Sequence, residues 1–200
     1  MGATTIPERP PRAEELEQSG PAGMARALLE NTDPKIRQYA AYLLGRAKDP
    51  GAIRPLIGAL ADPDKSVREQ ATLALSSLGK AAIVPLKDVM KDPKWETRYR
   101  AAEALGKMAD ETAVKPLIHA LRDQRDHVRY MAAKGLCDLG DSRAIEPMII
   151  LLKDENRFVR LMAARALTAI GGKTAEAALR QAFENEADEK VKDAIREILR

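Results

Sequence analysis

The feature that most constrains this chain is that it repeats. Segments with one pattern begin at 31 (NTDPKIRQYAAYLLGRAKDPGAIRPLIGAL), 62 (DPDKSVREQATLALSSLGKAAIVPLKDVM), 92 (DPKWETRYRAAEALGKMADETAVKPLIHAL), 123 (DQRDHVRYMAAKGLCDLGDSRAIEPMIILL) and 154 (DENRFVRLMAARALTAIGGKTAEAALRQAF). A basic residue recurs at Arg37, Arg68, Arg98, Arg129, Arg160 and Lys192, with a leucine seven positions later at Leu44, Leu75, Leu105, Leu136, Leu167 and Leu199. Proline recurs at Pro55, Pro85, Pro116 and Pro147, with Ala178 in its place in the last unit. A period of about 31 residues belongs to solenoids, whose stacked units bury one continuous core.

Each unit reads as two antiparallel helices. Val67, Ala71, Leu75 and Leu78 are spaced for one helix face, as are Val128, Ala132, Leu136 and Leu139. Gly79, Gly140 and Gly171 stand where this first helix should stop. The recurring proline falls in the first turn of the second helix, where a missing N–H costs little. Asp62, Asp92, Asp123 and Asp154 open units and suit turn or N-cap roles. The second unit is one residue shorter between its helices (Gly79 to Ala82, against Gly140 to Ala144), which predicts a local change of stacking there. No segment alternates as a strand would, so an all-α fold is expected.

The ends follow the same plan. Residues 22–30 match a second helix alone and residues 185–200 a first helix alone, half-units that keep an array soluble. Residues 1–21 are rich in Pro, Glu and Arg and predict a flexible tail, with a short helix at 13–18. Full units are expected at about 31–61, 62–91, 92–122, 123–153 and 154–184.

The pattern DPxxVRxxAAxALGxxGDxxAxxPLIxAL, as in TRYRAAEALGKMADETAVKPLIHAL, resembles the HEAT-like repeats named after phycobilisome bilin lyases, which also underlie artificial HEAT-like binding scaffolds. The resemblance covers residues 22–200 and implies a right-handed α-solenoid of HEAT-like helix pairs with half-repeat caps. It also implies that the first helices line a concave surface that contacts partners.

Composition narrows the function. With 33 basic and 30 acidic residues the chain lacks the basic excess of a nucleic-acid binder. No apolar run reaches the roughly 18 residues of a membrane span. One cysteine, Cys137, fits a reducing, cytoplasmic setting. His119 and His127 lie on different helices, so no metal site is expected. Deoxyhypusine hydroxylase, built on similar repeats, holds iron with His-Glu pairs, and no such pair occurs in this chain.

Counting each first helix from its Val as zero, positions 0, 4, 8 and 11 point to the core and 2, 3, 6 and 10 to the opposite face. Six of the seven aromatic residues fall on that outer stripe or its rim: Tyr39, Tyr42, Trp95, Tyr99, Tyr130 and Phe158. Met131, Leu161, Met162 and Arg165 extend it. Aromatic, Met and Arg side chains are those enriched in interface cores. The ten residues predict a protein-binding stripe. The expected function is a non-enzymatic scaffold binding a protein, a peptide or a second copy of itself, without cofactor, nucleic acid or membrane. The alternative is a bilin lyase-type subunit acting with a partner chain.

Overall fold

The structure, a computed structural model, describes residues 6–199, and among them every regular element is helical. The described chain divides into two compact units, one ending at Met108 and the other beginning at Ala109.

The first unit holds α1 (Ala13–Gln18), α2 (Gly20–Glu30), α3 (Pro34–Ala47), α4 (Ile53–Gly58), α5 (Lys65–Ser77), α6 (Lys80–Val89) and α7 (Trp95–Lys107). The first helices α3, α5 and α7 stack side by side in chain order, and α2, α4 and α6 form a second row behind them. Between the rows lie Leu44, Leu56, Leu75, Leu86 and Leu105, all fully buried. The second unit holds α8 (Val114–Ala120), α9 (Asp126–Leu139), α10 (Ile145–Leu151), α11 (Arg157–Ile170), α12 (Lys173–Asn185) and α13 (Glu189–Ile198). There α9, α11 and α13 make the first row, α10 and α12 pack behind it, and Leu136, Met148, Leu167 and Ile195 fill the space between.

The unit-opening aspartates act as turn anchors and not as helix caps. Asp62 accepts from the Asp64 N–H at 2.8 Å, and Asp64 in turn caps α5 through the Ser66 N–H at 2.8 Å. The same two-residue step leads from Asp154 to Asn156, the cap of α11. Gly140 closes α9 in the left-handed region (φ 64, ψ 21), a conformation a side chain disfavours. Lys48 and Ala109 take the same region without being glycine, each at φ 52.

In the first, third and fourth repeats a 3-10 turn capped by Asp49, Asp110 or Asp141 precedes the second helix. The fifth repeat has Gly172 in that place and the second repeat is one residue shorter, and in both the second helix starts without such a turn. In the second repeat the missing residue is this aspartate. Accordingly α6 starts directly after Gly79, and Pro85 lies inside the helix instead of in its first turn.

The N-terminal segment, read from composition as part of a flexible tail, is helical from Ala13 to Gln18, and Pro7, Pro10 and Ala13 are buried. The contact rests on three small apolar side chains spaced three residues apart, too few to stand out in a sequence dominated by Glu, Arg and Pro.

Candidate functional site

At about 100° per residue the core positions 0, 4, 8 and 11 average about 35°, so position 2 points roughly 165° from the core direction but position 3 only about 95° from it. A stacked first helix also has a first helix beside it, so its flanks are buried as well as its core face. Position 3 therefore lies inside: Tyr39, Gln70, Met131 and Met162 are 6%, 4%, 8% and 7% exposed. Position 5 is buried too, at Ala41, Thr72, Ala102, Ala133 and Ala164. What remains open is a narrower arc made of positions −1, 2, 6 and 10, with position 9 buried at Gly45 and Gly106 and reached from the surface at Cys137 and Thr168. Tyr39, Met131 and Met162, placed on the surface stripe by a one-faced helix pattern, are corrected to supports beneath it.

In the first unit the position-3 flank of α3 is covered by the chain itself. The Tyr39 hydroxyl donates to Glu17 Oε1 at 2.5 Å, and Arg9 donates to the same carboxylate through Nε and Nη2 at 3.2 and 3.0 Å. Hydrogen bonds from Arg9 and then Tyr39 hold the Glu17 carboxyl below its ordinary value, and the bond to Glu17 raises the Tyr39 phenol. Tyr42 is half-buried, its ring 5.8 Å from that of Tyr39 and under the Arg46 guanidinium at 5.8 Å. On α7, Trp95 and Tyr99 are half-buried, and the Arg100 guanidinium lies 5.4 Å from the Tyr99 ring while pairing with Glu103 at 2.8 Å.

In the second unit the arc is open. Phe158 is 56% exposed, with the Arg157 guanidinium 4.9 Å from its ring centre. Tyr130 and Leu161, both at position 2 of neighbouring first helices, are half-buried, and Arg165 is exposed. Lys134, Cys137 and Asp138 share the arc, although the aromatic pattern does not select them. Lys134 pairs with Asp138 at 2.9 Å, which raises the lysine's pKa. Burial pushes the Cys137 thiol up, Asp138 adds to this, and the positive charges of Lys134 and Arg165 oppose it. Tyr130 on α9 and Leu161 and Phe158 on α11 thus share the open arc with the cationic groups of Lys134, Arg157 and Arg165. Among the described residues no cluster of His, Cys, Asp and Glu could hold a metal ion, and no helix is long and apolar enough to cross a membrane.

A family model described as HEAT repeats matches residues 22–93, 79–129 and 114–200. Over 99 residues the chain is 35% identical to phycocyanobilin lyase subunit alpha of Nostoc sp., a match spanning 44% of this chain and 36% of that relative's length. The solved complex of CpcE and CpcF of phycocyanin lyase from Nostoc sp. PCC7120 contains a similar chain, at 24% identity and a TM-score of 0.69 over 76% of this chain and all (100%) of that one. A designed armadillo repeat protein in complex with the peptide (KR)4 is similar at 22% identity and TM-score 0.55, over 93% and 100% of the two chains. At these identities the two structures speak to fold. The expectation that the chain is not an enzyme is overturned by its curated relative, which is a lyase subunit.

Proposed function

The chain belongs to the HEAT repeat family, and from that premise we propose that it is a bilin lyase-type subunit acting together with a second protein chain. The observation that carries this reading is the 35% identity over 99 residues to phycocyanobilin lyase subunit alpha. The open arc of the second unit supports it chemically. A bilin is an extended conjugated tetrapyrrole with carboxylate side chains. Its rings can lie on Tyr130, Leu161 and Phe158, because π-systems favour offset and edge contacts with aromatic rings. Its carboxylates can pair with Arg157, Arg165 or Lys134, since guanidinium and ammonium groups make short charge-assisted hydrogen bonds.

The protein-binding stripe is kept in this reading, with Tyr42, Trp95, Tyr99, Tyr130, Phe158, Leu161 and Arg165 as contact residues and Tyr39, Met131 and Met162 holding them from below. Within each unit the repeats, expected at about 31–184 with half-units at 22–30 and 185–200, are a stacked frame, so little ordering entropy opposes binding. The test is to combine the purified chain, a candidate second lyase chain, free bilins and matched apo-phycobiliproteins, following absorbance and fluorescence. Uptake of a bilin, or its transfer to the apoprotein dependent on this chain, supports the reading. Failure with every matched bilin and apoprotein overturns it.

A further inference from the structure

We propose that residues 6–18 are a displaceable cover on α3, and that their release exposes Tyr39, beside Tyr42, as a docking surface for a segment of the same chemistry. That chemistry is a proline-bearing stretch followed by a short helix with a carboxylate. The proposal rests on the geometry of this segment alone and is independent of the lyase reading.

The cover is built from few contacts. Pro7, Pro10 and Ala13 are its buried side chains. The three-residue interval between the two prolines suits a polyproline-type turn, which presents one face every third residue. α1 packs against both α2 and α3. Glu17 ties the segment to α3 by accepting from Tyr39, and Arg9 folds back onto the same carboxylate. Glu8 meets Lys35 at 3.3 Å.

Its hold is weaker than that of the repeats. Both side chains of the Lys35–Glu8 pair are largely exposed, at 65% and 82%, and the Arg9–Glu17 pair is at 54% and 35%. Ion pairs this open to water contribute little. The six residues of α1 are too few for a helix that is stable by itself. The segment also has natural pivots. Arg12, just before α1, is left-handed at φ 63, and Gly20, just after it, has φ 67. No atom outside the immediate backbone lies within 4 Å of a Cβ built at Gly20. α1 can therefore swing while α2 and α3 keep their packing.

The face under the cover is suited to binding. Tyr39 and Tyr42 form a tilted aromatic pair, with Arg46 over the second ring. Lys35 and Arg46 supply positive charge beside a hydroxyl that already hydrogen-bonds a carboxylate. A partner segment carrying prolines and a glutamate would compete for the same contacts.

The test uses the full chain and an R9A/E17A variant, each treated with tetranitromethane, with nitrated tyrosines located by mass spectrometry. Nitration of Tyr39 should be about tenfold faster in the variant, as loss of charge-assisted contacts predicts. An excess of a synthetic peptide of residues 6–18 should restore its protection. Hydrogen exchange of the unaltered chain gives a second reading, with amides of 13–18 expected to exchange well before those of α3. The proposal is overturned if Tyr39 of the variant stays protected and the peptide does not bind. It also fails if Tyr39 is equally reactive in both proteins, or if α1 and α3 exchange as one.

Discussion

Arg37 grips Asp62 with both arms of its guanidinium, Nε to Oδ2 and Nη2 to Oδ1, each at 2.8 Å. Its third nitrogen donates to the Asn31 and Thr32 carbonyls at 2.9 and 3.1 Å, so one side chain fastens the start of its own repeat to the start of the next. Arg129 does the same with Asp154, and Arg160 with Glu186. The second repeat breaks the series. Arg68 donates to the Asp62 and Pro63 carbonyls at 2.6 and 2.9 Å, but among the described residues no carboxylate pairs with it. Removing one residue from the connection of that repeat leaves the carboxylate of Asp92 out of place.

This difference predicts unequal costs. Asp62→Ala leaves the Arg37 guanidinium, with only 11% of its side chain exposed, without its partner. The loss should be about 3 kcal/mol. Among the described residues the Asp92 carboxylate accepts the Lys94 N–H alone, at 2.8 Å, so Asp92→Ala should cost about 1 kcal/mol, as for one lost hydrogen bond. Urea midpoints of the two variants decide it, and equal shifts would contradict the broken series.

Acid should attack the same pairs. Burial alone would raise the Asp62 carboxyl, but hydrogen bonds from Arg37 and the Asp64 N–H, with the charges of Arg37 and Arg68, outweigh it and hold it below 3.8. Glu186 is held below 4.5 in the same way, burial being outweighed by Arg160 and the Asp188 N–H. Arg143 brings Asp141 down to about 2. Each folded value lies below the unfolded one. The stability these groups contribute is therefore complete above the unfolded value and is lost as pH falls through the folded one. The melting temperature should hold down to about pH 4.5 and fall from there toward about pH 2. Asp62→Asn should start lower at neutral pH and fall less steeply, whereas parallel curves would remove Asp62 from the account.

Much of this fold was legible in the residues. The 31-residue register placed the first helices of the repeats, because leucine at one position and a basic residue at another recur without interruption. The site was legible only in part. Position 3 was assigned to the surface because a helix periodicity knows only one buried side, and stacking supplies two more through neighbours that the helix's own sequence does not contain. Ser77 illustrates the same limit. It reads as an ordinary surface residue, yet its hydroxyl lies within hydrogen-bond reach of two carbonyls, Ala74 of its own helix at 2.7 Å and Gly45 of α3 at 3.0 Å.

Gly45 marks how closely α3 and α5 approach. A Cβ there would lie 2.8 Å from the Ala74 Cβ and 2.9 Å from its Cα. Backbone cannot yield as a flexible side chain does, so the two helices would have to separate. Overpacking of this kind costs about 1–3 kcal/mol, against a gain of about 1 kcal/mol in helix propensity. Gly45→Ala should be destabilising by about 1 kcal/mol in urea unfolding, and a variant as stable as the parent would show that the contact is looser than drawn.

At Ala109 the opposite change should help. Its φ of 52° places an alanine Cβ where it crowds the carbonyl, at an exposed position with no packing to lose. Ala109→Gly removes that conflict, and glycine's extra freedom in the unfolded chain takes back part of the gain, leaving about 0.5 kcal/mol of added stability. A lower melting temperature for this variant would refute the strain.

The open arc of the second unit gives the sharpest functional expectation. Phe158, 56% exposed, and Tyr130, half-buried, can lose their rings without opening the core, because Val159, Ala163, Val128 and Ala132 carry the inward packing. Phe158→Ala with Tyr130→Ala should therefore keep helicity and melting temperature close to the parent. A buried aromatic anchor contributes roughly 2 kcal/mol or more to an interface, so binding of a bilin, or of the second lyase-type chain, should weaken by well over a factor of about ten. Glu69→Ala serves as the comparison. Its carboxylate is exposed and among the described residues pairs with Lys65 alone, at 3.6 Å, so both activities should be unaffected. Fluorescence titration of bilin and pull-down of the partner chain measure the two effects separately. If the double variant binds both as the parent does, the open arc carrying Tyr130 and Phe158 is not the working face.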